Sequence, residues 1–193
     1  MTVLLIHQDV TLRPVQQSDI PRLWELTTTE TFTHMLNQIQ SYEEFEKWMG
    51  KGLEQMNTSD ATIAFVAVNS ETDDLYGSTR IYQMDHANKS CEIGSTYYGK
   101  AFQRTHINTT AKFLLLTYAF ETLGMIRVQI KTDEENTVSQ KAIERLGAVK
   151  EGVLRNERIR STGKPRNAVV YSITNEEWPA AKENLTKKMH KYS

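Results

Sequence analysis

A mixed α/β (α+β) fold is predicted by three features of the 193-residue chain. Residues 63–98 hold β-rich runs separated by short polar turns, the pattern of an antiparallel meander. Residues 91–147 then alternate strand, loop, helix, strand and helix, and residues 153–174 supply a closing pair of strands across a turn.

Taken from the N-terminus, residues 10–15 read as a strand. Ser18, Asp19 and Pro21 supply a cap and an early proline that start a helix to about residue 27. Residues 28–40 are Thr-rich and polar yet carry Phe32, Met35 and Leu36, so they read as a loop or irregular helix. A second helix fits residues 42–56; Trp24, Met35, Tyr42 and Trp48 stand at spacings that favour core over a binding cleft. Strands follow at 63–68, 76–83 and 91–98, with turns at 69–74 and 85–89. A helical run over 109–123 is closed by Gly124, and a strand fits 125–131. Asn136-Thr137-Val138-Ser139 opens a helix closed at Gly147, in which Val138, Ala142 and Leu146 recur every four residues with Ile143 beside them. Strands at 153–160 and 168–174 are joined by a turn over 161–165. The tail, 175–193, carries Trp178-Pro179 and a lysine-rich stretch, read as a solvated helix in preference to an RNA or ribosome contact. The whole is expected to be one domain, 1–193, with a core over about 10–175.

Acidic and basic residues balance at 24 against 23, so no global field favours nucleic acid or an anionic membrane. No apolar run approaches the roughly 20 residues needed to span a bilayer, and residues 1–6 are too short for a signal peptide. A soluble, cytoplasmic protein is expected. The single cysteine, Cys91, lies within a strand and reads as a packed thiol.

Two helix starts stand out. Asn136 is a strong N-cap, and Ser139 falls about one turn along, beside the exposed first-turn amides, so both side chains can face one ligand. The same pair also suits an ordinary capped helix. Upstream, Gln103, Arg104, Thr105, His106, Ile107 and Asn108 form a loop that enters a helix at Thr109. Unpaired amides and the positive end of the helix dipole suit a phosphate or pyrophosphate there, and Arg104 adds a full charge.

In order and spacing, these segments resemble the GNAT superfamily of N-acetyltransferases, in particular its branch related to ribosomal-protein N-terminal acetyltransferases. The resemblance runs from Thr11-Leu12-Arg13-Pro14 through Glu92-Ile93-Gly94, Tyr118-Ala119-Phe120, Leu123-Gly124, Arg127-Val128, Asn136, Ser139, Leu146-Gly147-Ala148 and Glu151-Gly152-Val153-Leu154-Arg155 to Tyr171-Ser172-Ile173. It implies a mixed, mostly antiparallel sheet with helices on both faces and a central parallel strand pair splayed around acetyl-CoA, with no metal. It also implies that Gln103 to Thr109 hold the pyrophosphate, that Asn136 and Ser139 flank the thioester, and that residues 28–40 border the acceptor. The family's phosphate loop carries glycines where this chain has His106 and Asn108, residue types that visit positive φ more readily than most. A homodimer is compatible with the resemblance.

Acetyl transfer needs a neutral amine, a donor for the carbonyl oxygen and a proton for the departing thiolate. A lysine amine, with a reference pKa of about 10.4, is neutral about once per thousand molecules near pH 7.4, a deficit of roughly 4 kcal/mol; an α-amine at about 7.7–8.0 has almost none. A peptide or protein N-terminal α-amine is therefore the favoured acceptor, with a small amine of the polyamine or aminoglycoside type, or a non-catalytic CoA-binding or protein-interaction module, as alternatives. Glu92 and Glu157 are the carboxylate bases to consider; the alternative for Glu92 is a strand-edge charge, and a register slip of one residue would turn Glu157 away. Ser139 matches a position from which a hydroxyl can protonate the sulfur. A backbone amide around Tyr97 would hold the oxyanion, while the Tyr97 and Tyr98 side chains read as packing residues.

Overall fold

The computed structural model describes residues 3–37, 39–160 and 162–189. Eight strands form one sheet in the spatial order β1 (Leu5–His7), β2 (Val10–Pro14), β3 (Ile63–Asn69), β4 (Leu75–Asp85), β5 (Ser90–Tyr98), β6 (Arg127–Asp133), β8 (Pro165–Thr174) and β7 (Val149–Ile159). All neighbours are antiparallel except β5 and β6. Five α-helices accompany them among the described residues: α1 (Asp19–Glu25), α2 (Tyr42–Thr58), α3 (Ile107–Thr117), α4 (Thr137–Glu144) and α5 (Trp178–Met189).

Alternation along β3 shows how the layers divide. Ala64, Val66 and Val68 join a core built with Ile20 and Leu23 of α1 and Phe45 and Met49 of α2. Phe65 and Ala67 point the other way, into a larger core with Ala111 and Leu115 of α3, Ile143 of α4 and Leu185 of α5. Both faces of the sheet are thus covered, as the mixed α/β reading expects.

Local chemistry sets several boundaries. Ser41 caps α2 by accepting from the Glu44 amide, and the Glu44 side chain accepts in turn from the amide of Gln40, one residue before the cap. The expected cap at Ser18 makes no side-chain bond; Asp19 instead accepts from the Gln16 amide and pairs with Arg13 at 2.8 Å. After α3 the chain makes one wider helical turn, Tyr118–Thr122, before Gly124 reverses it at φ +65°.

The structure corrects the sequence reading in four places. Strand β1 was not anticipated. Strand β7 begins at Val149, earlier than expected, because bulges at Lys150/Gly152 and Leu154/Arg158, with Asn156 at φ +51°, break its alternation. In α4 the buried stripe is Ile143 and Leu146, whereas Val138 is 68% exposed. The C-terminal helix is docked: Trp178, Ala181 and Leu185 are buried, the Trp178 ring stacks on Phe120 at 5.3 Å, and its indole N–H donates to Glu121 at 2.7 Å. Ser161 of the expected turn and the tail from 190 onward lie outside the described residues.

Candidate functional site

Strands β5 and β6 pair in parallel at Ser90–Arg127, Cys91–Val128 and Glu92–Gln129, and then part. Beyond that point β5 stays paired with β4 through Tyr98, and β6 with β8 through Asp133. The edges that face each other across the gap therefore carry backbone N–H and C=O groups with no strand partner among the described residues, a state that a strand-like ligand relieves. Ser95, at φ +49°, bulges the β5 limb. Because the strands are parallel, the chain leaves both at the same end of the sheet and runs on from there into α3 and α4. Ligands of α/β sheets sit at such divergence points.

On the α3 side the loop differs from expectation. The helix begins at Ile107, so Asn108 and Thr109 lie in its first turn, and Thr110 makes the first backbone bond, to the His106 carbonyl. The left-handed residue is Arg104, at φ +62°; His106 is helical at φ −67°. The His106 imidazole is turned to Asp9 on the β1–β2 turn, at 2.8 Å, and so ties the loop down away from the gap. The amides of Asn108 and Thr109 have no acceptor among the described residues. Thr105 accepts weakly from the Ile107 amide at 3.3 Å, and Gln103 caps the end of β5 through the Tyr98 carbonyl at 3.1 Å. Arg104 is exposed and has no partner among the described residues. Free first-turn amides and one free guanidinium make an anion receptor that requires no glycine at 106 or 108.

On the α4 side, Asn136 caps the helix as expected, its side-chain oxygen accepting from the Ser139 amide at 3.0 Å. That bond leaves the Asn136 amide NH2 and the Ser139 hydroxyl without a partner among the described residues, both beside the gap.

At the apex of the gap lies a buried charge network on the α1/α2 face. Glu92 is 3% exposed, which removes the strand-edge reading. It accepts from Tyr82 Oη at 2.5 Å and from Gln129 Nε2 at 2.9 Å, and pairs with Lys131 Nζ at 3.1 Å. Lys131 also reaches Glu157 at 3.4 Å, so the two carboxylates proposed from sequence share one lysine. Glu157 is flanked in turn by Arg158 at 3.4 Å and Arg166 at 3.7 Å. Burial, reinforced by Glu92, pushes the Tyr82 hydroxyl well above its usual pKa, so it remains a donor.

Tyr97 packs its ring against Phe32, Phe45 and Trp48, and its hydroxyl is buried without a partner among the described residues. Trp24, Met35 and Tyr42 pack against the same core, as the packing reading expects. Burial raises the Cys91 thiol to about 12, which leaves it inert. Sequence reasoning missed Tyr82, Gln129 and Lys131. The signal was available on β6, where Arg127, Gln129, Lys131 and Asp133 alternate with apolar or small residues in an interior strand.

Two other features lie outside the gap. His34, Asp133 and Glu135 bring one ligand atom each within 4.8 Å of one another, but Arg160 already holds Asp133 at 2.8 Å and Glu135 at 3.2 Å. A 490 Å³ cavity is lined by Arg22, Glu25, Asp74, Tyr76 and Phe102, away from Glu92. Among the described residues no helix is long and apolar enough to cross a membrane.

Comparison with known proteins bears on this geometry. The profile of a family described as "Acetyltransferase (GNAT) domain" matches residues 9–149. A Bacillus subtilis (strain 168) protein named "Putative ribosomal N-acetyltransferase YdaF" is 28% identical over 191 residues, covering 92% of this chain and 97% of its own. Among solved structures, an acetyltransferase from T. thermophilus has a TM-score of 0.86 at 29% identity, covering 96% of each chain. A GCN5-related N-acetyltransferase from Brucella melitensis also has a TM-score of 0.86, at 27% identity, covering 97% of this chain and 85% of its own.

Proposed function

Because this chain belongs to the acetyltransferase (GNAT) domain family, we propose that it transfers an acetyl group from acetyl-CoA to a peptide or protein N-terminal α-amine by direct attack in a ternary complex. The observation that carries the reading is the β5–β6 gap, with two helix starts at its mouth and a buried carboxylate at its apex. The residues present fit the cosubstrate: unpaired strand edges suit its amide-bearing arm, and the Asn108 and Thr109 amides with Arg104 suit its pyrophosphate. Acetyl-CoA would supply a thioester whose carbonyl carbon accepts the amine.

The chain's residues divide the remaining work. An amide N–H of the bulged β5 limb near Tyr97 donates to the carbonyl oxygen as negative charge develops on it. The Asn136 amide orients the donor from the α4 start, and the Ser139 hydroxyl gives its proton to the sulfur as the C–S bond breaks. The amine proton leaves through water to Glu92, with Glu157 linked to the same site by Lys131.

The acceptor class rests on the amine: a lysine ammonium has to be deprotonated at a deficit of roughly 4 kcal/mol near pH 7.4. An α-amine, at about 7.7–8.0, is already partly neutral there. The name of the Bacillus subtilis relative, which refers to the ribosome, points the same way.

Calorimetric titration with acetyl-CoA, followed by CoA release assays on peptides with free N-termini and on polyamines and aminoglycosides, tests this. Expected are micromolar binding that weakens in Asn136→Ala, and turnover with peptide α-amines that drops in Ser139→Ala. No binding, or binding without turnover on any amine, would overturn it.

A further inference from the structure

The bulge on the β5 limb is held from behind by an unusual group. Ser78 pairs with Tyr97 and Arg80 with Gly94, so Ser95 and Thr96 together stand against Thr79. The Thr79 and Thr96 hydroxyls lie 2.7 Å apart, and Lys112 Nζ, from α3, donates to Thr96 at 2.7 Å and to Thr79 at 3.3 Å. Lys112 is buried. The two threonines are the polar groups that face its amine from β4 and β5; among the described residues no carboxylate or second cation acts on it, and burial alone pushes its pKa down to about 7. Two hydroxyl acceptors satisfy the two N–H groups of a neutral amine and leave the third N–H of an ammonium unmet.

Packing does not explain a lysine here, since methionine would fill similar space without the desolvation cost of a buried cation. Its place on α3 is informative. Lys112 stands four residues, about 6 Å of helix rise, beyond Asn108, whose free amide opens at the mouth of the gap.

We propose that Lys112 is a positioning residue for the acyl donor: it locks the Thr79–Thr96 bulge that aims the β5 amides into the gap, and it takes up a proton when an anionic ligand occupies that gap. This rests on the reading of the gap as the acetyl-CoA site. The sign follows from linkage. Above pH 7 the amine of the free protein is mostly neutral, negative charge nearby favours the ammonium, and binding therefore draws a proton from solution.

The test is calorimetric titration of acetyl-CoA at pH 8 in two buffers of different ionisation enthalpy, on wild type and Lys112→Met, with the affinity repeated from pH 7 to 9. Wild type is expected to take up close to one proton more than the variant, and its affinity to fall by up to about tenfold per pH unit, against a flatter profile in Lys112→Met. Thermal unfolding checks that the variant is folded; if it is not, Thr96→Val, which keeps the lysine and removes its nearer acceptor, is expected to shift the proton count and weaken binding. Equal proton counts and equal pH profiles in wild type and variant would overturn the inference while leaving the acetyl-CoA reading intact. A wild type that does not bind acetyl-CoA would overturn both.

Discussion

Replacing Glu92 with glutamine keeps the shape of the apex and removes its charge. Glutamine can still accept from Gln129 and Lys131 through its oxygen while its NH2 faces Tyr82 Oη, which is able to accept, so the bonds at 2.5, 2.9 and 3.1 Å all have substitutes. What is lost is charge: Lys131 is left with Glu157 at 3.4 Å. Breaking a buried pair outright costs about 3–5 kcal/mol; with one carboxylate retained, the expected loss is about 2 kcal/mol, near that of a charge-assisted hydrogen bond. Urea denaturation measures it. Catalysis should respond separately. A general base contributes about 10² to 10⁴ in rate, and because an α-amine near its pKa of about 7.7–8.0 is already partly neutral, kcat at pH 7.5 should fall by about 10²-fold. The loss should shrink above pH 8.5, while acetyl-CoA affinity stays nearly constant. A folded Glu92→Gln variant that keeps kcat within about threefold, well short of a base's usual contribution, would refute Glu92 as proton acceptor and leave Glu157 as the carboxylate to examine.

Three further outcomes are expected. In Gly77→Ala the new Cβ would overlap the Tyr97 carbonyl oxygen and lie 2.8 Å from Tyr98 Cα; backbone cannot give cheaply, so a loss of about 1–3 kcal/mol should appear as a lower urea midpoint at unchanged slope. Asn136→Ala removes the cap on the Ser139 amide, which should cost about 1 kcal/mol, or about 2–4 °C in Tm for a chain of this size by calorimetry. Arg127 holds the Glu151 carboxyl down at about 2, against 4.5 for the free group. Its stabilisation is thus present above about pH 4.5 and is lost as pH falls toward 2, so Glu151→Gln should flatten the acid limb of the stability profile in that window.

What could be read beforehand was local chemistry. Asn136 and the Ser139 amide are three residues apart, and the cap follows from residue type alone. The partners of Glu92 come from β4 and β6: the polar alternation of β6 was there to be read for Gln129 and Lys131, whereas nothing in the spacing of β4 announces Tyr82. The loop over 103–109 differs from expectation because glycine-like φ was sought at His106 and Asn108, whereas His106, which contacts Asp9, 97 residues away, is helical and the turn falls on Arg104. The Ser95 bulge was hidden, since serine carries no signal for φ above zero. The burial of Lys112 was not read from the sequence, since its threonine partners come from β4 and β5. Strand β7 was shortened for a similar reason: its register is set by β8 and by two bulges, not by its own pattern.

Among the described residues, three rungs are all that stitch β1–β5 to the β6–β8–β7 block within the sheet. The gap is therefore also a seam, and on the acetyl-CoA reading proposed above the ligand would lie along it. A molecule bonded to both edges completes a ladder that the polypeptide leaves open, so its binding energy becomes cohesion between two blocks. At a ligand concentration one hundred times Kd, that cohesion amounts to about 2.7 kcal/mol. Amide exchange over 93–98 and 130–133 should slow most when acetyl-CoA is added, the outcome expected if the ligand fills this seam and finishes the sheet.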